Sequence, residues 1–236
     1  MSMLRDAIIT LDKIQIDGDV GPALREISNI IGAENIAYMA SSDISESYHD
    51  TVRFVTYSTE WEKRYFDREY IAIDPIAQGI EKQLPFDWHF ASNQPSTRWL
   101  FSEAESFGVG RQGLSVPIRG DAGERALITL TSFHSNQEWQ KMRWHYQGFI
   151  SALAPYLHHL ALRLGKLQPM KFSLSERQRQ CLGLYGRGNT PKQIAAQLGI
   201  SGSMAREHLH RARRKLACPT ISAAAIKAAR LRAFQE

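Results

Sequence analysis

The sequence predicts an α+β protein in two unlike parts. Residues 1–165 are expected to form an N-terminal α/β/α sandwich with an antiparallel sheet. Residues 173–236 are expected to form a C-terminal all-α four-helix domain of helix-turn-helix type, with a linker at 166–172. Three observations predict this division. Short β-branched runs bounded by turn residues alternate with helical blocks over the first 165 residues. The stretch Leu164–Lys171 carries a Gly and a Pro where the charge composition changes. The last 64 residues order their caps, apolar positions and arginines as short helices separated by a tight turn.

Taken in order, helices are expected near Met3–Ile16 and Ala23–Ile31, on their amphipathic spacing. Asn35–Ala40 and Thr51–Tyr57 read as strands. Trp61–Tyr70, Pro75–Lys82 and Thr97–Phe107 read as helical. Gly113–Ile118 and Leu127–Ser132 read as two further strands with hairpin-like spacing across Arg119–Arg125. A long helical stretch around Trp139–Leu164 follows, which Pro155 is expected to kink or divide. Strands set between helical blocks imply an antiparallel sheet covered by helices.

In the C-terminal part, Ser175 and Gln178 make a capping box at the start of a first helix, which ends before Gly188. Thr190 caps the second, with Pro191 at the first helical position, where its missing N–H leaves nothing unsatisfied. Ile194, Ala195 and Leu198 face inward, and Gly199 stops the helix. Ser201 caps a third helix on which Ala205, Leu209, Ala212 and Leu216 form one apolar stripe. Ser203, Arg206, His210, Arg213 and Arg214 fall broadly opposite. A fourth helix is expected over Ala223–Phe234.

Charge follows the same division. The net charge of +5 separates into +10 over residues 171–236 and −5 over residues 1–170. Affinity for a polyanion therefore belongs to the C-terminal part. A short helix with a buried side and a basic outer side fits a DNA major groove. Thr190, Lys192, Ser203, Arg206, His210, Arg211, Arg213 and Arg214 are the candidate DNA-facing residues. The alternative is an ordinary helical hairpin with a solvated charged face. One-sided charge, a small turn and a basic ridge together oppose it.

Several function classes lack support. No apolar run reaches the length of a membrane span, and no signal peptide pattern opens the chain. Two cysteines, Cys181 and Cys218, are too few for a disulfide framework. A reducing, cytoplasmic setting is expected. Gly108-x-Gly110-x-x-Gly113 matches a dinucleotide fingerprint only on paper, because a helical stretch precedes it and a strand follows. His158-His159 and His208/His210 lack metal-ligand spacing. Ser132, His134 and the scattered aspartates form no nucleophile pattern. Neither an enzyme, a metal nor a cofactor is expected.

The C-terminal pattern resembles the LuxR-type transcription regulators. Leu174-Ser175, Leu182, Gly188, Ile194-Ala195, Leu198-Gly-Ile-Ser201, His208-Leu209 and Lys215-Leu216 carry the resemblance. Gln178 stands where the family usually has Glu, and Met204-Ala205 replaces its usual Thr-Val pair, so an operator preference does not transfer. Upstream, Tyr57-x3-Trp61-x3-Tyr65, Asp74-Pro75, Trp88 and Gly113 resemble the branch that binds N-acyl-homoserine lactones. The Gly108–Gly113 loop holds one residue more than the usual spacing. An aromatic stripe at this spacing is by itself more often plain core. Asp74 in its midst shifts the balance, because a buried carboxylate needs a partner.

The resemblance implies ligand roles. Asp74 accepts from the amide N–H of an acyl-homoserine lactone, Trp61 donates to the lactone carbonyl, and Tyr57 donates to the acyl carbonyl. Trp88 packs against the lactone ring, with Tyr65 beside it. Thr129 touches the first acyl carbons or a 3-oxo group, and Ile76, Trp99, Phe101 and Leu114 wall the tail. Asp74 has a second reading as a helix cap with Pro75 after it. The implied whole is a quorum-sensing regulator that binds operator DNA as a homodimer, with RNA polymerase as a further partner. The alternatives are a regulator of the same build that answers to another small molecule or to none, and an enzyme tethered to DNA by its basic tail. Phe149, Leu153, Tyr156, Leu157, Leu160 and Leu164 lie on a helix that either forms the dimer interface or covers the sheet within one subunit.

Overall fold

A computed structural model describes residues 2–15, 18–41, 51–120, 123–167 and 174–230. Ile16, Ser173, residues 168–172 of the expected linker and residues 231–234 of the expected last helix lie outside them. The chain divides into two compact units near residue 168.

The first unit is built on a five-stranded antiparallel sheet of order β2-β1-β5-β4-β3, from β1 (Asn35–Ser41), β2 (Val52–Val55), β3 (Phe86–Asp87), β4 (Gln112–Arg119) and β5 (Arg125–Ser132). Successive strand residues point to opposite faces, so each strand supplies two walls. Ile36, Tyr38 and Ala40 of β1, Ala126, Ile128 and Leu130 of β5, and Leu114 and Val116 of β4 share the main core. Helices α1 (Ser2–Asp12), α2 (Val20–Ile31) and α6 (Asn136–Arg163) bury that face. The opposite face carries a second apolar cluster with α3 (Thr59–Asp67), α4 (His89–Ser92), α5 (Arg98–Ser106) and two 3-10 turns at Tyr70–Ala72 and Ala77–Glu81.

Two expectations are narrowed here. The helical reading of Pro75–Lys82 holds as a 3-10 helix over Ala77–Glu81. Of the kink or division expected at Pro155, division does not occur, and α6 runs from Asn136 to Arg163. Pro155 is exposed, so its ring meets solvent rather than the sheet, and the interior side of the helix keeps Leu153, Leu157 and Leu160. The strand pair β3–β4 escaped the sequence reading, because a two-residue strand has no period to detect.

A polar clasp fastens the helical layer over the second face. Glu103 on α5 receives Arg64 Nε of α3 at 2.8 Å and the Tyr70 hydroxyl at 2.7 Å, joining three separate elements. On the same layer Arg119 donates to the carbonyls of Ile80 (2.7 Å) and Lys82 (2.6 Å), and Arg125 pairs with Glu81.

The second unit contains α7 (Glu176–Gly186), α8 (Pro191–Leu198), α9 (Gly202–Lys215) and α10 (Ile221–Arg230). Its core is Leu182, Ile194, Ala195, Ala205, Leu209, Ala212, Leu216 and Ala224 with their neighbours. Ser175–Gln178 and Thr190–Gln193 are both reciprocal capping boxes, Ser201 caps α9, and Gly199 ends α8 at φ 63°. Alanines at the crossings let these short helices approach closely.

Two outcomes are expected. Thr190→Ala removes the cap of α8 and costs about 0.5–2 kcal/mol, read as faster amide exchange over α8 in the full chain. Hydrogen bonds from Tyr70 and Arg64 hold the Glu103 carboxyl below its ordinary range. A depressed pKa contributes stability that is present above the unfolded value and lost as pH falls through the folded one. Glu103→Gln should therefore melt below the wild type at neutral pH, and the two should converge as pH drops below the ordinary glutamate range of about 4.

Candidate ligand-binding cavity and DNA-facing helix

Between the second sheet face and the helical layer lies a largely apolar cavity of about 120 Å³. Its floor is made by the strand residues Ala37, Tyr38, Met39, Arg53, Val55, Leu127 and Thr129, most of them alternating away from the main core. Ser115, Thr129, Ala37 and Val55 form one row across the sheet, and Pro117, Leu127, Met39 and Arg53 form the next. Its roof comes from α3, the 70–81 segment and α5.

Of the ten expected ligand residues, Tyr57, Trp61, Tyr65, Asp74, Ile76, Trp88, Phe101 and Thr129 line this cavity. Ser58 caps α3 by accepting from Trp61 N at 3.2 Å, which starts the helix at Thr59 and turns Trp61 and Tyr65 to one face. Trp61 then packs on Tyr65 (5.7 Å), Tyr70 (6.2 Å) and Phe107 (5.5 Å). The Tyr57 hydroxyl and the Trp61 indole N–H make no hydrogen bond to another described residue. Both donors line the cavity.

Asp74 is half-buried at the cavity wall. One carboxylate oxygen accepts from the Tyr65 hydroxyl at 2.7 Å and the other from Ile76 N at 2.8 Å. Burial pushes its pKa above the ordinary value, while the bonds from Tyr65 and the backbone of Ile76 and Ala77 pull it back. No helix starts at Pro75, and the 3-10 helix at Ala77 has no side-chain cap, so Asp74 holds a local turn through Ile76 N rather than capping a helix. Each carboxylate oxygen keeps a second lone pair to offer the cavity. Burial, reinforced by the Asp74 charge, drives the Tyr57 phenol far above its ordinary range and keeps it a donor.

Trp88 donates to Ser115 Oγ at 3.0 Å, and Ser115 Oγ lies 2.8 Å from Thr129 Oγ1. A fixed polar chain thus crosses the floor of the cavity. The Trp88 ring lies over Gly113, where an added Cβ would come within 2.2 Å of it. Only glycine lets the indole sit so low. Phe101 packs edge-on against Trp88 at 5.6 Å.

Leu114 and Trp99 are not cavity walls. Leu114 is 3% exposed in the main core, because its neighbours Gly113 and Ser115 take the cavity face of β4. Trp99 is 45% exposed, packs on Tyr70 from outside and donates to Ser96 O. Leu100 and Ala104, one turn apart on α5, take the inward face instead. Sequence reasoning missed Met39, Phe66, Leu127 and Arg53. The strand period signals Leu127 once Thr129 is set on the cavity face of β5, but the partner of each row comes only from the pairing.

In the second unit Ser203, Arg206, His210, Arg211 and Arg214 are exposed along α9, with Thr190 and Lys192 exposed at the start of α8. Glu207 sits among them and receives Arg211 at 2.6 Å. Arg213 differs from the others. It is half-buried and donates to the carbonyls of Cys218 (3.2 Å) and Pro219 (3.3 Å), which caps the turn after α9 rather than the outer face. Among the described residues no group of His, Cys, Asp and Glu suits a metal ion, and no helix is long and apolar enough to cross a membrane.

Comparison with known proteins matches this division. Residues 18–161 match the autoinducer binding domain, and residues 172–228 match the bacterial regulatory proteins of the luxR family. RaiR of Rhizobium etli, named a transcriptional activator protein, is 38% identical over 219 residues, covering 86% of this chain and 90% of RaiR. Escherichia coli SdiA shares the fold at 16% identity, with TM-score 0.69 and coverage of 100% of this chain and 99% of that one. CepR2 of Burkholderia cenocepacia, an N-acylhomoserine lactone dependent factor, matches with TM-score 0.54 at 22% identity, over 70% of this chain and 96% of CepR2. The chain belongs to the luxR family of bacterial regulatory proteins and is a quorum-sensing transcription regulator with an autoinducer-binding domain and a helix-turn-helix DNA-binding domain.

Proposed function

We propose that the autoinducer is an N-acyl-homoserine lactone and that it binds in the cavity beneath α3. The observation that carries this reading is the donor and acceptor set. One half-buried carboxylate and two open donors face an aromatic-walled, mainly apolar space, with Arg53 and Glu62 as its other charged lining residues. An acyl-homoserine lactone offers one amide N–H, a lactone carbonyl, an acyl carbonyl and an apolar tail. Asp74 accepts from the N–H, Trp61 donates to the lactone carbonyl and Tyr57 donates to the acyl carbonyl. Trp88 supports the lactone ring, and the Ser115–Thr129 pair faces the first acyl carbons. A carboxylate is the right group for this task because a charged acceptor makes the stronger hydrogen bond in a dry site.

The DNA reader is α9, with Ser203, Arg206 and His210 toward base edges and Lys192, Arg211 and Arg214 toward phosphates. The regulator binds two-fold operators as a homodimer, so that paired half-sites meet paired helices. Most of the apolar α6 side chains expected at that interface are not free to make it. Phe149, Leu153, Leu157, Leu160 and Leu164 are buried within their own subunit, and of the expected set only Tyr156 (46% exposed) is open. RNA polymerase is the expected further partner at the promoter.

Thermal unfolding against a panel of acyl-homoserine lactones tests the ligand. At about 100 times the dissociation constant, mass action stabilises the folded state by ~2.7 kcal/mol. Asp74→Asn should weaken binding by about 10- to 100-fold, the value of a hydrogen bond to a charged group. An Asn variant with unchanged ligand response removes Asp74 from the site. On the DNA side, Arg206→Ala should cost about 1–3 kcal/mol on the cognate operator if it reads a base. Equal loss on random DNA assigns it to a phosphate instead.

A further inference from the structure

Resting on the ligand reading above, we propose that Arg53 is the residue that sets the acyl-chain length this regulator accepts. The cavity is chemically uneven along its floor. The row of Ser115, Thr129, Ala37 and Val55 lies toward the Trp88 end, where the polar head would sit. One step along the strands, a distance of about 7 Å, comes the row of Leu127, Met39 and Arg53. A tail running from the first row over the second meets apolar Leu127 and Met39 and then a guanidinium.

Arg53 occupies β2, the edge strand, and is exposed overall while its side chain also lines the cavity. Long basic side chains place an apolar stem along such a wall and keep the charged head in water. Here the head is fixed. The guanidinium carbon lies 3.8 Å from the centre of the Phe66 ring, and Glu62, one turn before Phe66 on α3, also lines the cavity. Arg53 on the sheet and Phe66 on the helical layer therefore form a bridge between floor and roof. A chain that ends beneath this bridge keeps every methylene in apolar contact. A longer one has to lift the guanidinium off the ring, losing the cation–π contact, or carry its last carbons past two charged side chains.

The test compares wild type, Arg53→Met and Arg53→Lys in thermal shift and direct binding. Two ligand series of increasing acyl length serve as probes, acyl-homoserine lactones and 1-monoacylglycerols. The wild type should show a clear optimum length and weaker binding beyond it. Arg53→Met, which keeps an apolar stem without a charge, should move the optimum to longer chains. The gain for a chain two carbons longer should be about tenfold, the value of two newly buried methylenes. Arg53→Lys keeps the charge without the flat stacking surface and should fall between. An unchanged optimum in both variants overturns the assignment of Arg53 while leaving the ligand class intact, as does a wild-type affinity that keeps rising with length. Binding of the glycerol series alone overturns the lactone reading and still tests Arg53 by length. A wild type stabilised by neither series overturns both.

Discussion

The cavity of the N-terminal unit depends on holding one carboxylate in place at a wall where burial works against its charge. A buried carboxylate without partners is costly. Two donors hold Asp74 and offset part of that cost, and each donor commits further structure. The Tyr65 hydroxyl reaches it because Ser58 fixes where α3 begins, and the Ile76 amide reaches it because the 70–81 segment turns tightly there. Tyr70 holds both neighbours: its carbonyl accepts from Asp74 N at 2.9 Å, and its hydroxyl joins Glu103 and Arg64. The clasp at Glu103 is therefore part of how Asp74 is aimed, although it lies outside the cavity.

Strand alternation supplies the other half of the design. A sheet with one solvated face would read as apolar and polar residues in turn. This sheet is covered on both sides, so β4 and β5 carry apolar or small residues between their ends, from Gly113 to Ile118 and from Ala126 to Ser132, and their two faces differ in size and polarity instead. The main-core face takes Leu114, Val116, Ile128 and Leu130, whereas the cavity face takes Gly113, Ser115, Leu127 and Thr129. Gly113 and Ser115 are what a packed core would fill with larger side chains. Their small size sets Trp88 low on the sheet and leaves room above it.

Legibility in the sequence followed the range of the physics involved. The helix-turn-helix unit was readable almost to the residue, because caps, Pro at the first turn and Gly at the last are local signals: Ser175, Thr190, Pro191 and Gly199 each act within a few positions. The aromatic spacing on α3 is local too, but i, i+4 spacing alone reads as plain core, and the site reading of Tyr57, Trp61, Asp74 and Trp88 comes from the family resemblance. The failures are non-local. Leu114 was placed in the cavity because its strand could be seen but not which side faced the roof. Trp99 was placed there because α5 offers apolar residues on two faces, and only packing against Tyr70 decides between them. Arg53 escapes the sequence reading because a lone arginine on a short strand carries no pattern, and it gains meaning only when Phe66 of another element stacks against it.

Coupling of ligand to fold follows from which cluster the cavity belongs to. The main core of the first unit, with Trp139, Ile150 and Leu153, meets the cavity through Tyr38 alone of its buried members. The second cluster is different: Trp61, Ile76, Trp88 and Leu127 are at once its buried members and the walls of the cavity. A ligand seated there adds dispersion contacts to each of those side chains and partners to Tyr57, Trp61 and Asp74 together. Its binding energy therefore falls on the layer of α3, α5 and the 3-10 turns rather than on the sheet and its opposite helices. Local stability is not uniform across a fold, and a layer held by a polar clasp and a shared cavity is where added contacts change it most. Seated as proposed above, an autoinducer would act in this unit as a removable piece of core, and a small molecule would set how firmly one face of the sheet is covered.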